Sequence, residues 1–149
     1  MKLLIELFST CLFIGYLPAS GTIATLASFP LVVFLDKQPV VFRILLILIL
    51  TLIAGITITI AETKIFKLKD AREIVIDEVI GFLIATFMID ITKLHTILVA
   101  FLIFRLLDIT KVGVIKKVQK IPSSVGVLAD DIICGLITNF ILRIIQRWL

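Results

Sequence analysis

The stretch Glu73-Ile74-Val75-Ile76-Asp77-Glu78-Val79-Ile80-Gly81 sets two adjacent carboxylates at the mouth of an apolar run. That run continues through Phe82, Leu83, Ile84, Ala85, Phe87, Met88 and Ile89. Burying such a pair is costly unless a cation or another partner compensates the charge. The same arrangement, an acid at the edge of an apolar run, recurs twice. Asp108 sits in Phe104-Arg105-Leu106-Leu107-Asp108-Ile109-Thr110-Lys111, and Asp130-Asp131 in Gly126-Val127-Leu128-Ala129-Asp130-Asp131-Ile132-Ile133-Cys134-Gly135. The rest of the chain reads as a scaffold that brings these three acidic sites together.

Composition says what kind of scaffold. Of 149 residues, 60% are hydrophobic, and the mean hydropathy of +1.22 lies far above that of a soluble domain. The expected fold is all-α: a small polytopic membrane bundle, residues 1–149 forming one domain, with the acidic motifs at one membrane face. The net charge of +4 comes from bases interleaved with acids in short loops. No basic stripe carries interleaved aromatics, so nucleic acid is a poor partner and anionic lipid headgroups a better one. Cys11 and Cys134 both lie in apolar runs without metal-type spacing and read as reduced core residues.

Met1 to Gly15 resembles a secretory leader, but the strongly apolar segments that follow favour its retention. Gly15-Tyr16-Leu17-Pro18-Ala19-Ser20-Gly21-Thr22 is a turn-rich break. Thr22 is a candidate N-cap for a helix starting at Ile23, whose free N–H groups would form an anion site, although the bare pattern reads equally as a plain interhelical turn. Apolar runs follow at Ile23–Leu35, interrupted by Pro30, and at Ile44–Ala61. The second, about 18 residues long, is the clearest membrane span. Glu62 to Glu73 is a charged loop, and Val79–Ile89 and Leu94–Leu107 are shorter spans around the turn Asp90–Lys93. Lys111 to Ser124 forms a basic loop before a last span from Ala129 to Leu149, in which Arg143, Arg147 and Trp148 would anchor the interface.

If every span crosses once, segments 16–22, 62–78 and 105–131 emerge on one face. That face holds 8 of the 11 acids and 9 of the 15 bases. The basic excess, nine against six, makes it cytoplasmic by the positive-inside rule. Arg105 and Asp108 share a helix face with Lys111 nearby, a pattern suited to a phosphate beside a metal-binding acid. Gly81 follows Asp77 by four residues, and Gly135 follows Asp131 by four. Small residues let membrane helices approach closely, so two such helices would let Asp77, Glu78, Asp130 and Asp131 share a cation. Oxygen ligands without His or Cys point to Mg²⁺ or Mn²⁺. The lone histidine, His95, falls on the opposite face. An acid near a helix N-terminus, as Asp77 and Asp130 are expected to be, also serves as a dipole cap.

Together these motifs resemble the phosphatidylglycerophosphatase A family, over nearly the whole chain and in the family's order. Gly15 to Thr22 is similar to its N-terminal Gly/Pro/Gly-Thr loop, Ile74 to Gly81 to its Asp-Glu-x-x-Gly core, Phe104 to Lys111 to its Phe-Arg-x-x-Asp element, and Gly126 to Gly135 to its Asp-Asp element. Ser20 and Val112 stand where the family has prolines. The resemblance implies a Mg²⁺-dependent phosphomonoesterase that converts phosphatidylglycerophosphate to phosphatidylglycerol on the cytoplasmic leaflet of a bacterial inner membrane. The metal would be held by some of Asp77, Glu78, Asp108, Asp130 and Asp131, and Asp77, Glu78, Asp108 and Asp131 are the candidate catalytic residues. Thr22, Arg105 and Lys111 would bind the phosphate, with one carboxylate left free of metal as base.

Other readings fit less well. CDP-alcohol phosphotransferases need an Asp-Gly followed by Ala-Arg, which Asp130-Asp131-Ile132-Ile133 does not supply. A small cation transporter would carry its acids at mid-bilayer depth rather than at the ends of apolar runs. The Asp-x-Asp-x-Thr nucleophile of haloacid-dehalogenase-type phosphatases is missing from the sequence.

Overall fold

The computed structural model describes residues 1–119, 121 and 124–148, with side chains as far as Gln146. Lys120 and the side chains of Arg147 and Trp148, the latter two expected as interface anchors, lie outside the described residues. Among the described residues all regular structure is helical, as the composition requires. The helices are α1 (Lys2–Ser9), α2 (Ser20–Ala27), α3 (Phe29–Asp36), α4 (Val40–Ile60), α5 (Ile76–Ala85), α6 (Leu94–Thr110), α7 (Val114–Val118) and α8 (Ser124–Trp148).

Helix α5 is the centre of the fold. Val79, Ile80, Gly81, Phe82, Leu83 and Ala85 are all buried, and only Glu78 and Ile84 of the helix remain partly exposed. Its main partner is α8, and the two cross where both have only hydrogen for a side chain. A Cβ on Gly135 would lie 2.3 Å from the Gly81 carbonyl oxygen, and one on Gly81 would lie 2.7 Å from the Asp131 carbonyl oxygen. The close approach expected from the two Asp-to-Gly spacings is therefore present. Phe82 reinforces the centre, stacking on Phe29 at 5.4 Å and meeting Phe104 edge-on at 5.8 Å.

Several expected spans are shorter than the hydropathy suggests. Ile23–Leu35 lies in two helices, α2 and α3, separated at Ser28, and Pro30 falls in the first turn of α3, where its missing N–H costs nothing. The expected span Val79–Ile89 is a ten-residue helix ending at Ala85, about 15 Å long. It stops because Asn139 of α8 donates to the carbonyls of Ile84, Ala85 and Phe87 at 3.2, 3.0 and 2.8 Å, satisfying its last turn from the side. Only Val40–Ile65 and Ser124–Gln146, among the described residues, are long and apolar enough to cross a membrane.

The charged loop after α4 is not all loop. The helix continues through a π-turn, Ala61–Ile65, which buries Glu62 so that its carboxylate accepts the Asp70 N–H at 2.7 Å. The basic loop contains α7. Helix α8 begins at Ser124, five residues ahead of the expected Ala129, with the Ser124 hydroxyl 2.5 Å from that of Thr59. Asp130 and Asp131 therefore sit in the second turn of α8, too deep for Asp130 to act as a helix-end cap.

These helices sort the polar residues to two ends. At one end Lys69 donates to the Ile121 carbonyl at 3.0 Å and Gln119 to Asp70 at 3.3 Å, tying two loops together beside the acids. At the other end Arg43 pairs with Asp36, and Gln146 donates to the Asp90 carbonyl at 2.9 Å. His95 lines a small cavity there with Asp90 and Gln146, remote from the acids.

Candidate active site

The first turn of α5 carries Asp77 and Glu78, and the second turn of α8 carries Asp131. The glycine crossing below them brings the two helices close enough for one oxygen of each carboxylate to lie within 4.8 Å of the others. Asp77 and Asp131 are only 4% and 3% exposed. Local bonds hold Asp77 and the neighbour of Asp131: Asp77 Oδ1 accepts the Glu78 N–H at 3.2 Å, and Asp130 Oδ1 accepts the Asp131 N–H at 3.1 Å. Glu78 Oε2 and Asp131 Oδ1 are buried without any hydrogen-bond partner from the protein. Buried orphan acceptors among converging carboxylates are costly for the fold and suit a ligand that supplies positive charge.

Two cations stand beside this cluster. Arg105 Nη1 donates to Asp108 Oδ2 at 2.5 Å and lies 3.8 Å from Glu78 Oε1, while its buried Nε has no partner. Lys111, at the left-handed residue that ends α6 (φ 42°), turns its ammonium back to donate to Asp130 Oδ2 at 2.6 Å and sits 3.8 Å from Asp108. Burial pulls the Lys111 ammonium down, but the Asp130 hydrogen bond and the charges of Asp130, Asp131 and Asp108 outweigh it. Its pKa stays above the ordinary lysine range, and it remains a cation. The five acids of the motifs thus fall into two groups. Asp77, Glu78 and Asp131 face one another, whereas Asp108 and Asp130 are each bonded to a base.

All of these residues line one cleft of about 590 Å³, with the Tyr16–Gly21 loop and Asp70 to Arg72 on its rim. Thr22 is not where the sequence places it. Helix α2 starts at Ser20, preceded by Ala19 at φ 54°, so Thr22 lies inside the first turn, caps nothing with its side chain and does not line the cleft. The sterically small Ser20-Gly21 pair lets the helix begin against Glu78. The N–H groups of Ser20, Gly21 and Thr22 precede the first bond within the helix, from Ile23 to Ala19. The sequence reading passes over Asp70, Arg72 and Tyr16. The first two sit in a charge-dense loop just before the Asp-Glu motif, and that adjacency is their one signal.

Charge tests the fit of a metal. The lining contains six carboxylates, Asp70, Asp77, Glu78, Asp108, Asp130 and Asp131, against three cations, Arg72, Arg105 and Lys111. A phosphate entering such a cleft meets net negative charge unless a cation goes with it. The two orphan oxygens and an all-oxygen donor set fit a hard divalent ion.

Gly21 packs directly on the cluster: a Cβ there would lie 2.0 Å from Glu78 Oε1 and 3.1 Å from Arg105 Nη1. Because the obstacle is the end of a flexible side chain, Gly21→Ala should leave the melting temperature nearly unchanged while displacing the Glu78 carboxylate. Turnover is expected to fall about a hundred-fold, as misplacing a reacting group by about 1 Å does. Unchanged turnover would show that Glu78 needs no fixed position.

Comparison with known proteins adds to this geometry. The sequence profile of the family described as Phosphatidylglycerophosphatase A matches residues 7–146. A Bacteroides thetaiotaomicron protein named "Putative phosphatidylinositol-3-phosphatase" is 32% identical over 82 residues, which are 54% of this chain and 51% of that protein. The match thus spans about half of that relative's length. No solved structure matches the chain.

Proposed function

Because this chain belongs to the phosphatidylglycerophosphatase A family, we propose that it hydrolyses the terminal phosphomonoester of an anionic membrane lipid, converting phosphatidylglycerophosphate to phosphatidylglycerol and inorganic phosphate. The observation that carries this reading is the convergence of three carboxylates, two of them buried and that of Glu78 partly so, beside Arg105 in one cleft. Asp77, Glu78 and Asp131 would hold the Mg²⁺, which when bound neutralises phosphoryl oxygens and makes a water molecule more acidic. Arg105, with its unpartnered Nε, orients the phosphate, and the free N–H groups at the start of α2 supply further donors. Asp108 and Asp130 act through Arg105 and Lys111, holding each cation in place. A carboxylate oxygen of this cluster left free of the metal accepts the proton of the attacking water. The water oxygen bonds to phosphorus as the P–O ester bond breaks, and the proton taken by the carboxylate passes to the leaving oxygen, so that the lipid departs as the alcohol.

The test is phosphate release by the purified chain in detergent from phosphatidylglycerophosphate, phosphatidylinositol 3-phosphate and phosphatidic acid, with Mg²⁺ and after chelation. Release should be fastest from phosphatidylglycerophosphate, vanish on chelation and return with Mg²⁺. Fastest release from phosphatidylinositol 3-phosphate would move the substrate to the one named for the Bacteroides relative. No release from any lipid would overturn the reading.

The same proposal makes the chain a polytopic membrane protein of a bacterial inner membrane, with the cleft toward the cytoplasm. An apolar belt supports it. Leu45, Leu48, Leu52 and Ile56 of α4, Leu94, Leu98, Leu102 and Leu106 of α6, and Leu136 and Phe140 of α8 are all exposed, more apolar surface than a soluble monomer leaves open. In a background without Cys11 and Cys134, single cysteines at positions 67 and 117 should label from the cytoplasm and one at position 37 from the other side. Labelling of 67 and 117 on opposite sides would exclude a shared cleft at one membrane face.

A further inference from the structure

The lipid-phosphatase reading leaves one cation of the cleft without a task. Arg105 and Lys111 lie deep, with side chains 13% and 26% exposed, and each is bonded to a carboxylate. Arg72 is different. Its side chain is 89% exposed, and its ion pair, at 3.5 Å with Glu73, uses Nε rather than the two terminal nitrogens. Yet its backbone is held. Ala71 beside it is 2% exposed, and the Arg72 carbonyl accepts the Ser20 hydroxyl at 3.0 Å, a bond that links the rim loop to the start of α2. The arginine therefore projects from a fixed point on the rim of the cleft.

The cleft, at about 590 Å³, is of the size that encloses a whole small molecule rather than one phosphate group. The lipid of the proposed reaction has two phosphates: the monoester to be cleaved and, across a glycerol, the diester that joins the headgroup to the diacylglycerol. With the monoester at the carboxylate cluster, the diester lies back toward the rim. A planar guanidinium with its two terminal nitrogens is the side chain best matched to a phosphate there.

We propose that Arg72 is a specificity-determining residue that binds the bridging phosphodiester, so that the cleft selects lipids carrying a second phosphate between the scissile monoester and the diacylglycerol. The assignment rests on the lipid-phosphatase reading above. Phosphatidic acid, a monoester without a diester, is the discriminating substrate. Selectivity is the ratio of kcat/KM for phosphatidylglycerophosphate to that for phosphatidic acid, measured in mixed micelles with Mg²⁺.

Arg72→Gln should lower that ratio at least ten-fold, chiefly through KM for the diester lipid, and Arg72→Lys should recover part of it. Ser20→Ala, which frees the Arg72 backbone, should lower the ratio less. Lys93→Gln, at the opposite end of the molecule, controls for overall charge and should leave the ratio alone. If Arg72→Gln slows both lipids equally, the residue is only a general attractor of anions or a loop support, and the assignment falls. It also falls if the ratio does not move. If the parent protein hydrolyses neither lipid, the lipid-phosphatase reading falls and takes this assignment with it.

Discussion

Asp131→Asn is expected to lower phosphate release by about a thousand-fold or more, equivalent to about 4 kcal/mol of transition-state stabilisation. The side chain is 3% exposed, contributes one of the three converging carboxylates and holds an oxygen with no protein partner. Asparagine keeps its shape but removes the negative charge that a hard cation requires. The fold should survive, and the metal-free protein should melt higher than the parent, because one of three mutually repelling carboxylates, itself buried, has gone. Binding of Mn²⁺, followed by electron paramagnetic resonance, gives a readout independent of turnover. Asp77→Asn and Asp131→Asn should lose bound Mn²⁺, whereas Asp108→Asn and Asp130→Asn should keep it and be impaired in turnover through loosened Arg105 and Lys111. Equal loss of Mn²⁺ in all four would restore the wider ligand set that the sequence suggests and refute the division of roles seen in the ion pairs.

Gly135→Leu is expected to prevent folding altogether, a larger effect on stability than any single change in the cleft. A Cβ at 135 would lie 2.3 Å from a backbone carbonyl oxygen, that of Gly81, and 3.2 Å from the Ile84 Cβ. Neither obstacle is a flexible side-chain end, so α5 and α8 must separate by roughly an ångström for the first carbon alone. Separation opens the packing around Phe82 and pulls Asp131 away from Asp77 and Glu78, so stability and site fail together. The expected cost exceeds about 4 kcal/mol, in the range reserved for gross core disruption. Leu136→Ala, one residue on and 56% exposed, should change little. Size-exclusion profiles and thermal unfolding in detergent distinguish the two variants. A monodisperse Gly135→Leu protein with near-parental melting would show that the tight crossing is not needed.

The contrast between Asp131 and Asp108 shows how far residue patterns reach. Both are acids at the edge of an apolar run, and the sequence assigns both to a metal. What separates them is a partner's position in space. Arg105 lies one turn before Asp108 on the same helix and is bonded to it, whereas Asp131 faces the carboxylates of Asp77 and Glu78 on another helix. The Arg105–Asp108 pair is foreseeable from a three-residue spacing. The Lys111–Asp130 pair joins α6 to α8 through a left-handed residue, and no local spacing encodes that turn.

Helix ends divide along the same line. Hydropathy marks apolar runs, but it cannot see where a run stops being helical when the cause lies elsewhere in the chain. Helix α5 ends at Ala85 because Asn139, 54 residues later, satisfies its final carbonyls. Thr22 looks like a cap by residue type, yet α2 starts three residues before the expected Ile23, where Ser20 bonds the Arg72 carbonyl and Gly21 clears space for Glu78.

By itself the sequence determined the helical class, the family, the grouping of the acids at one end and the small residues needed for a close crossing. Each of these depends on composition, on short spacings or on motif order, which a linear chain carries explicitly. Only the tertiary structure decided which three carboxylates face one another, which two are tied to cations, and that Arg72 stands on the rim of the cleft. Those outcomes depend on distances between side chains far apart in the chain, set by how α5 and α8 cross and by where the loops before them are pinned.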